Sequence, residues 1–254
     1  MEGANRFAGK VGVVTGAAGD LGRAVAERLV TEGADVTLLD IDARRLEKVA
    51  DTLGDRAGRV HTRAVDVTDE EAVAAALSDV AGRSGGRLDF YFNNAGIEGP
   101  VRPLTEVDLS DFARVLQVNV VGVFLGLKHA LPLMAKGGVI VNSGSTASLR
   151  GAPNLAPYVA SKHAVLGLTR SAALEAAERG VRICAICPGP LEGRMMRELD
   201  TGRARLGQAR PPAVGLTTRY GQVSEVAAAV AFLLSDEASF VNGTGFIVDG
   251  GRLA

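Results

Sequence analysis

TGAAGDLG, residues 15–22, sits between the apolar run VGVVTG (11–16) and the helical pattern LGRAVAERLVTEG (21–33). A glycine-rich turn at such a junction lets backbone N–H groups approach a phosphate, and the helix dipole there favours negative charge. Gly16, Gly19 and Gly22 supply the turn. Glycine clusters also serve ordinary tight turns, so the stretch takes its meaning from its place directly after the first strand candidate.

Outward from it, short runs rich in Val and Ile recur: DVTLLD (35–40), HTRAVDV (61–67), LDFYFNN (88–94), GVIVNSG (138–144), VRICAIC (181–187) and GFIVDGG (245–251). Most internal runs are apolar throughout, as parallel strands covered on both faces should be. Helical patterns such as EAVAAALSDVAG (71–82) separate them. The alternation predicts an α/β fold, a doubly wound parallel sheet with helices on both faces and right-handed crossovers. At 254 residues and 47% hydrophobic content, one domain spanning 1–254 is expected. Residues 190–220 lack clear periodicity and are too long for an ordinary connection, which makes them a candidate substrate lid.

Lys plus Arg (28) nearly balances Asp plus Glu (29), so the basic footprint of a nonspecific nucleic-acid binder is missing and a small-molecule partner is expected. The opening residues MEGANRFAGK hold no apolar leader, and no run approaches the roughly 18 apolar residues of a membrane span. The expectation is a soluble cytoplasmic protein. Cys184 and Cys187 lie three apart on a predicted strand and so face opposite ways, which fits two reduced core thiols. His61 and His129 have no partners in metal-like spacing, and no catalytic metal is expected.

Ligands of doubly wound sheets bind beyond the carboxyl ends of the strands. Asp40 ends the second strand, where a carboxylate can accept from the ribose hydroxyls of an adenosine. A 2′-phosphate there, taken as two charges at about 5 Å and an effective dielectric between about 40 and 80, meets like-charge repulsion of roughly 2 to 3 kcal/mol. NAD is favoured over NADP, although Asp40 also reads as a helix cap and Arg44 and Arg45 stand ready for a phosphate. In APYVASKHAV (156–165), helical spacing puts Tyr158 and Lys162 on one face. A phenol near pKa ~10 is a poor base at neutral pH, and a neighbouring ammonium lowers it. A solvated Tyr and Lys on an amphipathic helix is the plainer reading of that spacing alone.

Taken together, TGAAGDLG, Asp40, the DV pair at 66–67, NNAG (93–96), Asn119 in VLQVNVVG, Ser145 in VNSGS, YVASK (158–162) and the PG pair at 188–189 resemble the short-chain dehydrogenase/reductase family. The likeness runs from about Val11 to Gly251. It implies a single-domain Rossmann fold with seven strands, commonly a homotetramer, and NAD(H)-dependent interconversion of a secondary alcohol and a ketone. By the same resemblance Tyr158 is the acid/base, Lys162 bonds the nicotinamide ribose and lowers the Tyr pKa, and Ser145 orients the substrate oxygen. Asn119 is expected to hold a helix irregularity and a water of the proton relay. The cofactor residues implied are Gly16, Gly19, Asp20, Leu21 and Gly22 at the pyrophosphate, and Asp40 and Ile41 at the ribose. Asp66 and Val67 belong to the adenine, Asn93, Ala95 and Gly96 to the strand end, and Pro188 and Gly189 to the nicotinamide. Ser143 and His163 read as structural.

Two residues depart from the family pattern. Asp20 stands where relatives usually have the middle glycine of the loop, and Gly193 where many have a threonine that holds the cofactor's carboxamide. At a helix start a carboxylate gains roughly 0.3 to 1 kcal/mol from the dipole. Against a pyrophosphate at about 7 Å it loses about 1 to 2 kcal/mol. Asp20 is therefore expected to turn outward and leave its backbone amide to the phosphate. The candidate lid carries six arginines (194, 197, 203, 205, 210 and 219), which fit either an anionic substrate or a solvated loop, and Met195, Met196 and Leu199 suit an apolar pocket wall. Two other activities share these motifs: a catalytically silent dinucleotide-binding regulator, and an epimerase or dehydratase that uses its cofactor transiently.

Overall fold

Seven parallel strands form one sheet in the order β3-β2-β1-β4-β5-β6-β7. They are β1 (Val11–Thr15), β2 (Asp35–Asp40), β3 (Arg59–Ala64), β4 (Leu88–Asn93), β5 (Met134–Ser143), β6 (Arg182–Pro188) and β7 (Gly245–Val248). The computed structural model describes residues 5–54, 56, 58–208 and 219–254. Helices α1 (Asp20–Thr31), α2 (Ala43–Leu53), α3 (Glu70–Arg83), α4 (Leu109–Leu116), α5 (Gly122–Ala130), α6 (Ala156–Ala176), α7 (Arg194–Arg205) and α8 (Val223–Leu234) complete the described chain. The strand order reverses between β1 and β4, the crevice where open α/β sheets bind ligands.

The apolar strands are explained by a core on each side. Val14, Leu38, Phe90, Phe92, Val141 and Ile186 face one layer, packed by α1, α2 and α8. Val13, Leu39, Tyr91, Ile140 and Ile183, at odd spacing from these along the strands, face the other, packed by α3, α5 and α6. With side chains alternating, every position of a doubly covered strand must be apolar. Cys184 and Cys187 are buried and unpaired, as the odd spacing requires.

Three differences from the sequence reading have physical causes. The third strand covers 59–64 rather than 61–67, because it is an edge strand whose exposed and half-buried residues give a weak pattern. Asp66 and Val67 consequently lie in the loop beyond it. One helical run, Leu109–Leu133, is long and apolar enough to cross a membrane by length and composition. Scattered charges such as Asp111, Arg114 and Lys128 hid that run from a search for uninterrupted apolar sequence, and its α4 and α5 pack against α6 and α3. Within the candidate lid, α7 forms on the buried Leu199 with Arg194–Glu198 and Asp200–Arg203 pairs at helical spacing. Residues 209–218, Arg210 among them, lie outside the described residues.

Candidate active site

A cavity of about 1090 Å³ opens at the carboxyl ends of the strands, larger than the usual pocket for a drug-sized ligand. Its nucleotide-side wall is the glycine loop. Gly16 has a left-handed φ of 61°, and a Cβ there would come within 2.8 Å of Ala95 Cα. The loop is held by groups of the chain itself. Thr15 Oγ1 accepts from Asn94 N at 2.8 Å and Ala95 N at 3.0 Å, and Asn94 Nδ2 donates to Thr15 O at 3.0 Å. Asp40 Oδ2 accepts from Ala18 N at 2.9 Å, so the strand-ending carboxylate braces the loop as well as facing the cavity.

Gly16, Gly19, Asp20, Leu21, Gly22, Asp40, Ile41, Asp66, Val67, Ala95, Gly96, Pro188 and Gly189 all line this cavity. Asn93 does not. Its Nδ2 donates to Val123 O at 2.9 Å, away from the cavity, and Asn94 takes the lining position. Strand alternation is the signal that separates the two. The helix-cap reading of Asp40 belongs instead to Asp42, whose carboxylate accepts from Arg45 N. Arg45 lines the cavity and Arg44 does not.

Ser145, Tyr158 and Lys162 meet on the opposite wall. Ser145 follows β5 in extended conformation and opens a short 3₁₀ turn, its Oγ accepting from Ala147 N at 3.1 Å. Tyr158 and Lys162 share a face of α6, with Lys162 Nζ 5.6 Å from the phenol ring centroid. Nζ donates to Ser143 O at 2.7 Å, which gives Ser143 a backbone part in placing the ammonium. Burial brings the Lys162 pKa down to about 8. Burial also raises the Tyr158 phenol, the nearby Glu98 adds to the rise, and the hydrogen bond with Ser145 works against it. The expected lowering of the phenol is thus outweighed by desolvation in the protein by itself. Glu98, which sequence reading passed over, is buried; desolvation and its hydrogen bond with Glu198 hold its carboxyl well above the usual range.

Asn119 lies fully buried in a π turn, Gln117–Val121, between α4 and α5, so the expected helix irregularity is present. Its Oδ1 accepts from Ile97 N and its Nδ2 donates to Ile97 O, both at 2.8 Å, and also to Ser161 Oγ at 3.0 Å. It anchors the segment after β4 beside Lys162 rather than lining the cavity.

Asp20 is exposed, but instead of turning outward its carboxylate reaches across the cavity to the candidate lid. Its Oδ2 accepts from Arg194 N at 2.7 Å and so caps α7 from across the cavity. A Cβ at Gly193 would run into that carboxylate. The two departures from the family pattern therefore meet: the absent side chain at 193 makes room for the extra one at 20. Of the lid arginines, Arg194 and Arg203 line the cavity, whereas Arg219 pairs with Glu225 at 2.7 Å. The histidines stand apart: His61 meets Asp35, His129 meets Glu70, and His163 bonds Val159 O within its helix.

Residues 16–252 match the family model described as enoyl-(acyl carrier protein) reductase. Over 98% of its length the chain is 41% identical to levodione reductase of Leifsonia aquatica, covering 96% of that protein. It is 39% identical to cyclohexanol dehydrogenase of Acinetobacter sp. (strain SE19), covering 97% of this chain and 96% of the relative. The crystal structure of NAD+-bound xylitol dehydrogenase superposes with a TM-score of 0.91 at 38% identity, over 96% of this chain and 99% of that one. The sheet order, the braced glycine loop and these whole-length matches lead to one assignment: the chain belongs to the short-chain dehydrogenase/reductase family of oxidoreductases.

Proposed function

We propose that the protein is an NAD(H)-dependent oxidoreductase that interconverts a secondary alcohol, most readily a cyclic one, and its ketone. The observation that carries this reading is the meeting of Ser145, Tyr158 and Lys162 on one cavity wall, facing a loop shaped for a dinucleotide. Gly16 fits that group because the space beside Ala95 admits no Cβ, and the amides of the loop and the start of α1 point positive charge at a phosphate. Cyclohexanol dehydrogenase, by its name, acts on a ring alcohol, which supports the cyclic class.

When bound, the nicotinamide cofactor supplies the acceptor or donor of the hydride. The chain supplies the proton. Tyr158 takes it from the carbinol in oxidation and returns it to the ketone in reduction. Ser145 Oγ hydrogen-bonds the same oxygen and the phenol, steadying the charge that builds there. Lys162 stabilises the phenolate and would hold the nicotinamide ribose, and Asn119 fixes the backbone beside it, where a water relay would run. Asp40 and Ile41 form the ribose site, Asp66 and Val67 the adenine wall, and Leu21, Pro188 and Gly189 the remaining contacts. The Asp40 carboxylate supports NAD over NADP; Arg45 in the same wall leaves some capacity for a phosphate.

The region 190–220 is read as the substrate lid, and its helix α7 is capped by Asp20. Exposed Phe124, Leu174, Phe240 and Ile247, the last on edge strand β7, support a homotetramer. Free buried thiols suit a cytoplasmic setting. Turnover of a panel of cyclic and acyclic secondary alcohols, with NAD and NADP side by side, is the test. Net NADH formation with cyclohexanol-type substrates is expected. Tight NAD binding without net NADH from any alcohol would replace this reading with a silent regulator or a transient user of the cofactor.

A further inference from the structure

Three arginines from three distant segments converge on the cavity that holds Ser145 and Tyr158. Arg150 follows the 3₁₀ turn after Ser145, Arg203 lies on α7, and Arg252 follows β7. The carboxylates among the described residues lining the cavity are Asp20, Asp40, Asp42, Asp66 and Glu192, and none of them pairs with Arg150 or Arg252. The cavity's other side chains include Pro153, Leu155, Met195, Met196 and Leu199, an apolar wall.

The carboxylates behind this wall are already engaged. Asp200 Oδ1 pairs with Arg203 Nη1 at 3.0 Å while its Oδ2 accepts from Tyr220 OH at 2.8 Å. Asp249 accepts from Gly251 N at 2.8 Å and Leu253 N at 2.9 Å. For the guanidiniums of Arg150 and Arg252 no ion pair or hydrogen bond is found among the described residues. Arg252 is half-buried, and its ordinary pKa is lowered by burial and by the fields of Arg150 and Arg203, against a smaller opposing pull from Tyr220 and Asp249. Arg150 is exposed and Arg203 is paired with Asp200, so the charge held partly out of water without a counter-ion is that of Arg252, which an anion entering the cavity would join.

We propose that the alcohol substrate carries a carboxylate, and that Arg150, Arg203 and Arg252 bind it while the apolar body lies along Leu155, Met195, Met196 and Leu199 and the carbinol faces Tyr158. Guanidinium forks match a carboxylate in two-point hydrogen bonds. The assignment rests on the alcohol dehydrogenase reading and narrows its substrate to hydroxy acids. Arg252 is then a specificity residue, selecting what enters without touching the reacting atoms.

The test compares 3- and 4-hydroxycyclohexanecarboxylates with their methyl esters, in the full-length enzyme with NAD. The acid is expected to exceed its ester in kcat/KM by about tenfold to a hundredfold, the range of a charge-assisted contact. In Arg252→Met and Arg150→Met that ratio drops towards one, whereas Arg252→Lys retains part of it, and unchanged thermal unfolding shows the variants folded. Equal turnover of acid and ester, or equal losses for both in Arg252→Met, overturns the proposal and leaves the dehydrogenase reading intact. Should no alcohol turn over, that reading fails by itself. Calorimetric binding of cyclohexanecarboxylate to the enzyme with NAD then decides: affinity lost in Arg252→Met supports the arginine site, and binding no tighter than cyclohexanemethanol refutes it.

Discussion

The two ends of the cavity are built on opposite plans. At the nucleotide end, polar side chains are spent on the protein's own backbone: Thr15 on Asn94 and Ala95, Asn94 on Thr15, Asp40 on Ala18, Asn119 on Ile97. At the substrate end, Arg150 and Arg252 meet no such partner among the described residues, and α7 is tied to the glycine loop through the Asp20 cap. A dinucleotide is a fixed shape, and a frame satisfied internally holds amides ready for it at little reorganisation cost. A variable substrate is met by side chains left uncommitted.

If that contrast holds, damage at the nucleotide and catalytic walls is severe and damage at the lid is mild. Lys162→Met is expected to lower kcat for alcohol oxidation about a hundredfold or more. Oxidation needs the phenolate, so its rate climbs as pH rises through the Tyr158 pKa. In the protein by itself Lys162 sheds its charge near pH 8, below the raised pKa of Tyr158, so the ammonium acts on the phenol only where a bound cation draws the phenol pKa down into the range in which Lys162 is charged. Removing it moves the rising limb of the pH profile upward. A limb left in place would show that the ammonium does not act on the phenol.

Asp40→Asn keeps an acceptor for Ala18 N and deletes the charge. Isothermal titration should find the NADP-to-NAD ratio of Kd values lowered by roughly thirtyfold or more, following the repulsion removed. A ratio that stays put would transfer cofactor choice to Arg45. The smallest effect belongs to Asp20→Ala. Loss of a cap worth about 0.5 to 2 kcal/mol should raise the alcohol KM several-fold and leave the NAD Kd within about threefold. Gly193→Ala should harm the parent protein more than the Asp20→Ala variant, since the collision needs both side chains. Additive losses would sever the link between the two departures.

The same contrast explains what was legible in the sequence. The existence and order of the strands, the glycine loop, Asp40 and the Tyr158–Lys162 pair are each fixed by local rules, alternation, a positive φ or helical spacing, whereas strand ends are not: β3 spans Arg59–Ala64, β5 starts at Met134 and β7 stops at Val248. Asn93 and Asn94 show the limit of resolution, because neighbours on a strand face opposite ways and choosing between them requires knowing which side holds the cavity. The arginine cluster was only half visible. Arg203 stood out within the basic lid, but Arg150 and Arg252 are about a hundred residues apart and share a wall only through the fold. No spacing encodes that meeting, nor the contact between residues 20 and 193. The lid helix escaped because its stability comes from one buried leucine and ion pairs rather than from an apolar stripe.

Single-turnover oxidation by Tyr158→Phe, with NAD affinity measured on the same preparation, tests the central claim most directly. The account predicts a rate at least a hundredfold below the parent enzyme with the NAD Kd little changed, because the proton acceptor is gone and the dinucleotide frame is not. A variant that oxidises alcohol at the parent rate would contradict it.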